Sequence, residues 1–333
     1  MLTINTKMKK LAITIGDAGG IGPEVTLKAL ASGKIPNNCH VCVIGDRIVI
    51  EEALRLLRIP MSLRIVNSGN EPLFLSKQQS ITLIDMGLLR KFDKKQISAR
   101  NGCASADYIK KAVELASKKQ VDGIVTAPIS KESWKISGFG WPGHTELLAE
   151  LTRTKNYAMM LAGGPLRVIL ATIHVALKDV PRLITKTRVL KTIRLAKKAC
   201  DMLSIKHPAI LVAGLNPHAG ESGMFGFEEM KTIIPAIRQA KNEGIPVTGP
   251  FPPDTVFNRA YKGKADIIIC MYHDQGLIPL KMIAFDEGVN VTVGLPFIRT
   301  SPDHGTAFDI AWKGIANPSS MIEAIKMAAR LRI

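Results

Sequence analysis

The chain has 333 residues, enough for two domains of roughly 100–200 residues each. It is 46% hydrophobic, 22% charged and 5% aromatic, the balance of an ordinary globular core, and no apolar run approaches the ~18 residues of a membrane span. The net charge of +17 is spread over lysine doublets such as Lys94-Lys95 and Lys197-Lys198, without interleaved aromatics or a recognition-helix motif. That pattern argues for a solvated surface and an anionic small substrate rather than nucleic acid.

The first seven residues carry no apolar signal region, so a cytoplasmic location is expected. Residues 11–15 read as a strand that runs into Gly16-Asp17-Ala18-Gly19-Gly20-Ile21-Gly22-Pro23-Glu24, and residues 23–30 read as a helix. Gly20-Ile21-Gly22 resembles a dinucleotide fingerprint. However, the third glycine position is Val25, and Glu24 sets a carboxylate where a pyrophosphate would sit. Pro23 suits a first helical position. The expectation is a structural glycine-rich turn with a functional Asp17 or Glu24.

A strand at 41–44 and a helix at 48–57 follow. Cys39-His40-Val41-Cys42 has C-x-x-C spacing but no second pair, and the five scattered cysteines read as buried thiols in a reducing compartment. Next come a strand at 81–84, a helix at 104–118 and a strand at 123–126. Gly143-His144-Thr145-Glu146 marks a helix start whose free N–H groups suit phosphate. Strands at 168–172, 209–213 and 267–271, with helices at 189–202 and 228–242, complete an alternation that predicts an α/β protein with a largely parallel central sheet.

Ligands of such sheets bind beyond the carboxyl ends of strands. Three of the seven histidines fall there, in Ile173-His174, in Asn216-Pro217-His218 and in Tyr272-His273-Asp274. Neutral imidazoles with an open position suit a catalytic divalent ion such as Zn or Co, and Asp274 and Glu221 stand near enough in sequence to fix histidine tautomers. Arg299 lies in an apolar, proline-containing context that argues against a surface charge, and Lys281 is a further cation downstream of His273.

Thr126-Ala127-Pro128-Ile129-Ser130-Lys131, Gly143-His144-Thr145-Glu146, Gly214-Leu215-Asn216-Pro217-His218-Ala219-Gly220-Glu221, Tyr272-His273-Asp274-Gln275-Gly276 and Gly294-Leu295-Pro296-Phe297-Ile298-Arg299-Thr300-Ser301 resemble the 4-hydroxythreonine-4-phosphate dehydrogenases of pyridoxal phosphate biosynthesis. The resemblance runs from about Lys10 to the C-terminus. The stretch from Asp303 to Pro318 also resembles the cofactor loop of isocitrate and isopropylmalate dehydrogenases.

The resemblance implies a non-Rossmann two-domain α/β fold, with a cofactor-side domain over 1–135 plus 290–333. Residues 136–289 would form a metal, substrate and dimerisation domain. It implies His174, His218 and His273 as ligands of a divalent metal (Zn, Mg or Co), contributed across the interface of a homodimer. His144, Thr145, Lys281, Asn290 and Arg299 are implied for substrate, and Gly305, Asp309 and Asn317 for NAD or NADP. The implied reaction oxidises 4-phosphohydroxy-L-threonine to a 3-keto acid that decarboxylates. Asp254 and Lys281 are alternative bases, and Asp254 reads equally well as a helix N-cap. A dehydrogenase of phosphorylated threonate or erythronate is the nearest alternative, with a metal-dependent phosphatase further off; no nucleic-acid or membrane partner is expected.

Two positions depart from the family pattern. Ala18-Gly19 stands where the family has Pro-Ala, which makes the first turn more flexible, and Trp312 stands where the related dehydrogenases carry glycine.

Overall fold

The computed structural model describes residues 8–66, 73–74 and 80–333, so the expectation for the first seven residues lies outside it. The chain forms two compact units, Met1–Thr154 with Leu295–Arg330 and Lys155–Gly294 with Leu331–Ile333. Among the described residues, no helix is long and apolar enough to cross a membrane.

The strands are β1 (Lys9–Thr14), β2 (Cys39–Gly45), β3 (Leu63–Val66), β4 (Ile81–Asp85), β5 (Gly123–Thr126), β6 (Ala158–Gly163), β7 (Leu166–Leu170), β8 (Ile210–Ala213), β9 (Val247–Phe251), β10 (Ile267–Cys270), β11 (Val289–Val293) and β12 (Ile298–Pro302). In the first unit they lie in the order β3-β4-β2-β1-β5-β12, and every pairing is parallel. Strands buried on both faces read as continuous apolar runs, and Leu11, Ile13, Val43 and Ile44 are fully buried. In the second unit the order is β11-β6-β7-β10-β8-β9, with β6 antiparallel to both neighbours and the other pairs parallel. The α/β class with largely parallel sheets is therefore observed.

The division of the chain differs from the expected one at both crossings. The first unit extends to Thr154 because helix His144–Leu151 packs on its helix Ala99–Ser117. β11 belongs to the second unit because it pairs antiparallel with β6, Asn290 opposite Leu161, so Asn290 sits in that unit. The expected helix at 228–242 begins with a π-helical turn, Glu229–Ile233, before the α-helix Ile234–Asn242. The C-x-x-C spacing falls on β2, where both thiols are free. Cys39 and Cys42 are buried thiols, both pushed up to about 12 chiefly by burial.

Candidate active site

In the first unit the chain leaves β1 toward β2 and later returns to the other side of β1 as β5, so the switch point lies beyond the carboxyl ends of these two strands. The loops there touch: the Asp17 N–H donates to the Pro128 carbonyl at 2.9 Å, and a Cβ on Gly16 would stand 2.1 Å from that oxygen. Gly16 has φ +72°, so both space and backbone require glycine. The glycine is thus required by the geometry of this turn. Its two acids are buried: Asp17 accepts the Gly19 N–H at 2.8 Å, and burial holds its carboxyl above the usual range. Glu24 accepts the backbone N–H of Trp312.

Beside this switch point stands a cationic cluster. Arg299, on β12 next to β5, is 2% exposed, and its Nη2 donates to the Thr126 hydroxyl at 2.8 Å. Burial lowers its guanidinium to about 10, partly offset by the negative charge of Glu146. The expectation that Arg299 is no surface charge holds. Helix His144–Leu151 begins here on Gly143, with Thr145 buried in its first turn. The His144 imidazole is held well below its ordinary value, first by burial and then by the positive charges of Arg299 and Lys131, so it is neutral at physiological pH. Its Nε2 is buried without a hydrogen-bond partner among the described residues. A fixed cation, a neutral donor-acceptor and a helix N-terminus form a seat for an anionic group.

The loop after β12 rests on the glycine-rich turn. The Ile21 N–H donates to the Thr306 carbonyl at 3.0 Å, and Lys28 Nζ donates to the carbonyls of Gly314 and Ala316 at 2.7 and 2.8 Å. Of the residues expected at a nicotinamide cofactor, Gly305 has no described residue within 4 Å of where a Cβ would stand, and Asp309 is exposed. Asn317 is engaged locally, its side-chain oxygen accepting the Ser319 N–H at 3.0 Å at the start of helix Ser319–Arg330. His304 Nε2 is buried without a partner among the described residues, and its Nδ1 lies 3.2 Å from the Gly305 carbonyl.

In the second unit, His174 and His273 come together with ring centroids 5.6 Å apart. His273 opens helix His273–Ala284 rather than lying in a turn, and its Nδ1 pairs with Asp274 Oδ1 at 2.7 Å. With Nδ1 donating to the carboxylate, Nε2 keeps its lone pair for a cation. His218 lies on a separate loop, where five successive residues, His218 to Ser222, have φ between 41° and 83°. For four of them, which carry a Cβ, this left-handed backbone is unfavourable. Among the described residues, no three His, Cys, Asp or Glu side chains are gathered to hold a metal ion. The histidine pair, with one tautomer set by a carboxylate, fits part of a metal site.

Several positioning residues escape a reading based on motifs alone. Glu221 is exposed within the left-handed run, and the acid that braces the loop is instead Glu229, 1% exposed. Glu229 accepts the N–H groups of Leu215 and Asn216 at 2.7 and 2.8 Å. Buried Gln275 donates to the Gly214 carbonyl and accepts the Met271 N–H, both at 2.7 Å, and Thr172 donates to the Met271 carbonyl at 2.7 Å. Thr172 and Gln275 each stand two residues from a histidine, within the runs that contain His174 and His273. Asp254 is exposed in the first turn of helix Pro253–Tyr261, whose N-cap is Pro252, so its reading as an N-cap is corrected. Lys281 is half-buried on helix His273–Ala284, and Asn290 Oδ1 is buried without a hydrogen-bond partner among the described residues.

Known proteins of the same shape define the class. A solved structure of 4-hydroxythreonine-4-phosphate dehydrogenase from Klebsiella pneumoniae is 41% identical with a TM-score of 0.88, covering 98% of this chain and 100% of its own. A terephthalate 1,2-cis-dihydrodiol dehydrogenase from Burkholderia xenovorans LB400 shares the fold at 28% identity and a TM-score of 0.68, covering 97% of this chain and 98% of its own. The 4-hydroxythreonine-4-phosphate dehydrogenase of Desulforapulum autotrophicum is 46% identical over 325 residues, 96% of this chain and 94% of its own. The D-threonate 4-phosphate dehydrogenase of Cupriavidus necator is likewise 46% identical, over 96% of each chain. The chain is an oxidoreductase. A family model described as pyridoxal phosphate biosynthetic protein PdxA matches residues 37–328, and the chain belongs to that family.

Proposed function

We propose that the protein is a dehydrogenase of a phosphorylated hydroxy acid, dependent on NAD or NADP and on a divalent metal. It oxidises 4-phosphohydroxy-L-threonine to a 3-keto acid that decarboxylates to 3-amino-2-oxopropyl phosphate, in the synthesis of pyridoxine 5'-phosphate. The observation that carries this reading is the buried Arg299 guanidinium, hydrogen-bonded to Thr126 beside a neutral His144 at a helix N-terminus, which suits a small phosphorylated anion. Relatives named for two phosphorylated substrates, both 46% identical across the chain, support it.

When bound, the metal supplies Lewis acidity and the nicotinamide accepts hydride. His174, His218 and His273 are the proposed ligands, and imidazole donors suit Zn or Co better than Mg. Arg299, Lys281, Asn290, Thr145 and His144 bind and orient the charged ends of the substrate. Asp254 or Lys281 takes the proton of the reacting hydroxyl. Gly305, Asp309 and Asn317 line the dinucleotide's place.

A homodimer completes the histidine set across its interface. Large exposed apolar side chains lie close in sequence to all three ligands and support such an interface: Leu177 after His174, Met224 and Phe227 after His218, and Ile278, Met282 and Phe285 after His273.

The second reading, D-threonate 4-phosphate or the corresponding erythronate as substrate, draws on the Cupriavidus relative. Steady-state assays with both classes of substrate, with NAD and NADP and with a chelator, test the proposal. Reduced nicotinamide should form only with metal present, and faster turnover of the threonate ester would favour the second reading. Release of inorganic phosphate without nicotinamide reduction would replace both with a phosphatase.

A further inference from the structure

Trp312 is a large side chain on a backbone suited to glycine: φ is 56°, in the left-handed region that β-carbon-bearing residues avoid. The indole is 7% exposed and fully employed. Its Nε1–H donates to the Ala18 carbonyl at 3.0 Å, its ring packs on Phe92 with centroids 5.0 Å apart, and Lys94 Nζ lies over it 4.8 Å from the centroid. Its backbone N–H is taken by the buried Glu24.

The neighbouring departure in the first turn belongs to the same contact. A Cβ on Gly19 would stand 2.4 Å from the Asp93 carbonyl, so glycine is what lets the segment carrying Phe92 and Lys94 close in, and the Lys95 N–H donates to the Gly19 carbonyl at 2.9 Å. Three stretches of the first unit, residues 16–22, 92–95 and 303–317, are thus joined through one indole.

We propose that Trp312 is a positioning residue that fastens the loop 303–317 to the glycine-rich turn, so that the surface presented to a dinucleotide is formed before the dinucleotide arrives. A preformed loop forgoes the ordering that binding would otherwise have to impose. The part of this proposal that concerns a nicotinamide rests on the function proposed above; the fastening of the loop does not.

The test pairs amide hydrogen exchange of the full-length protein with direct calorimetric binding of NAD and NADP, for wild type, Trp312→Phe, Trp312→Gly and Gly19→Ala. Trp312→Phe keeps most of the packing and deletes one hydrogen bond; exchange over 303–317 and the Kd for the dinucleotide should each rise roughly three- to tenfold, with kcat changed less than about twofold. Trp312→Gly relieves the backbone and should still raise both quantities further, and Gly19→Ala should reproduce its exchange pattern. A melting temperature that falls while loop exchange and Kd stay at wild-type values in both Trp312 variants would overturn the proposal, leaving the indole as packing alone. If wild type binds neither dinucleotide while the variants still exchange faster at 303–317, the fastening stands and the nicotinamide reading falls.

Discussion

The side-chain amide of Gln275 donates to the Gly214 carbonyl while its oxygen accepts the Met271 N–H, each at 2.7 Å, so a single buried side chain spans the ends of two neighbouring strands. Gly214 opens the stretch that carries His218, and Gln275 follows His273 by two residues. Replacing it by leucine leaves two buried backbone groups unsatisfied, at about 1–3 kcal/mol each. At the metal site proposed above, Gln275→Leu should lower Zn or Co affinity while the circular dichroism spectrum is kept, because the backbone beside two of the proposed ligands is no longer tied together. Unchanged metal affinity in a calorimetric titration would show that the two loops are positioned without it.

Arg299→Lys tests the anion seat. Lysine keeps the charge but loses the planar fork, so the Thr126 contact and the geometry of substrate binding go together. A charge-assisted bond is worth about 1.5–3 kcal/mol, which predicts a rise of roughly tenfold to a hundredfold in KM for the phosphorylated substrate. Dinucleotide affinity, read separately by calorimetry, should hold; a loss there of equal size would mean a global defect.

His144 sets a pH dependence whose sign follows from its neutral state. Its folded pKa lies well below the ordinary value because burial and the charges of Arg299 and Lys131 oppose protonation. The unfolded chain therefore binds a proton, near the ordinary histidine pKa of about 6.5, that the folded chain refuses. This contribution to stability is complete above that pH and is lost as pH falls through it toward the folded value. His304, lowered mainly by burial, acts in the same direction. Urea midpoints at about pH 8 and about pH 5.5 should differ less in His144→Gln than in wild type. Equal pH sensitivity in the two proteins would mean that His144 is not the group responsible.

Thiol chemistry gives an inexpensive check on the interior. Cys103 is exposed, whereas Cys39, Cys42, Cys200 and Cys270 are buried with thiols pushed upward chiefly by burial. A thiol-specific reagent should modify Cys103 in the native protein and the others only after denaturation. Rapid native labelling of Cys39 or Cys42 would contradict the packing of β2.

Parallel strands such as β1 and β10 were legible because burial on both faces leaves an unbroken apolar run, as in residues 11–13 and 267–269, whereas parallel β3, β9 and β12, broken by Arg64, by Thr248-Gly249-Pro250 and by Arg299-Thr300-Ser301, were not. Nor were the antiparallel strands β6 and β11: Asn290 and Thr292 alternate with the valines of β11, and β6 is a short apolar run without β-branched residues. At the site, Arg299 declared itself by an apolar neighbourhood, and the histidines by falling just past strand ends. Glu229, Gln275 and Thr172 did not, because their work is done by hydrogen bonds to backbone far away in sequence, which leave no local pattern. Trp312 is the instructive case: its oddity was visible in the sequence, but its partner, the Ala18 carbonyl, is nearly 300 residues distant and only the fold reveals it.

The excursion of the chain between Thr154 and Leu295 has a bearing on biogenesis. All six strands of the second unit lie within one continuous stretch, whereas the sheet of the first unit is completed only by β12, which follows that stretch together with Arg299 and Trp312. At about 5–20 residues per second the ribosome releases the later-numbered unit's strands as a complete set first. Strands β1 to β5 precede that stretch yet wait for β12 to finish their sheet, and during that interval the flank of β5 that β12 will cover is an open parallel edge.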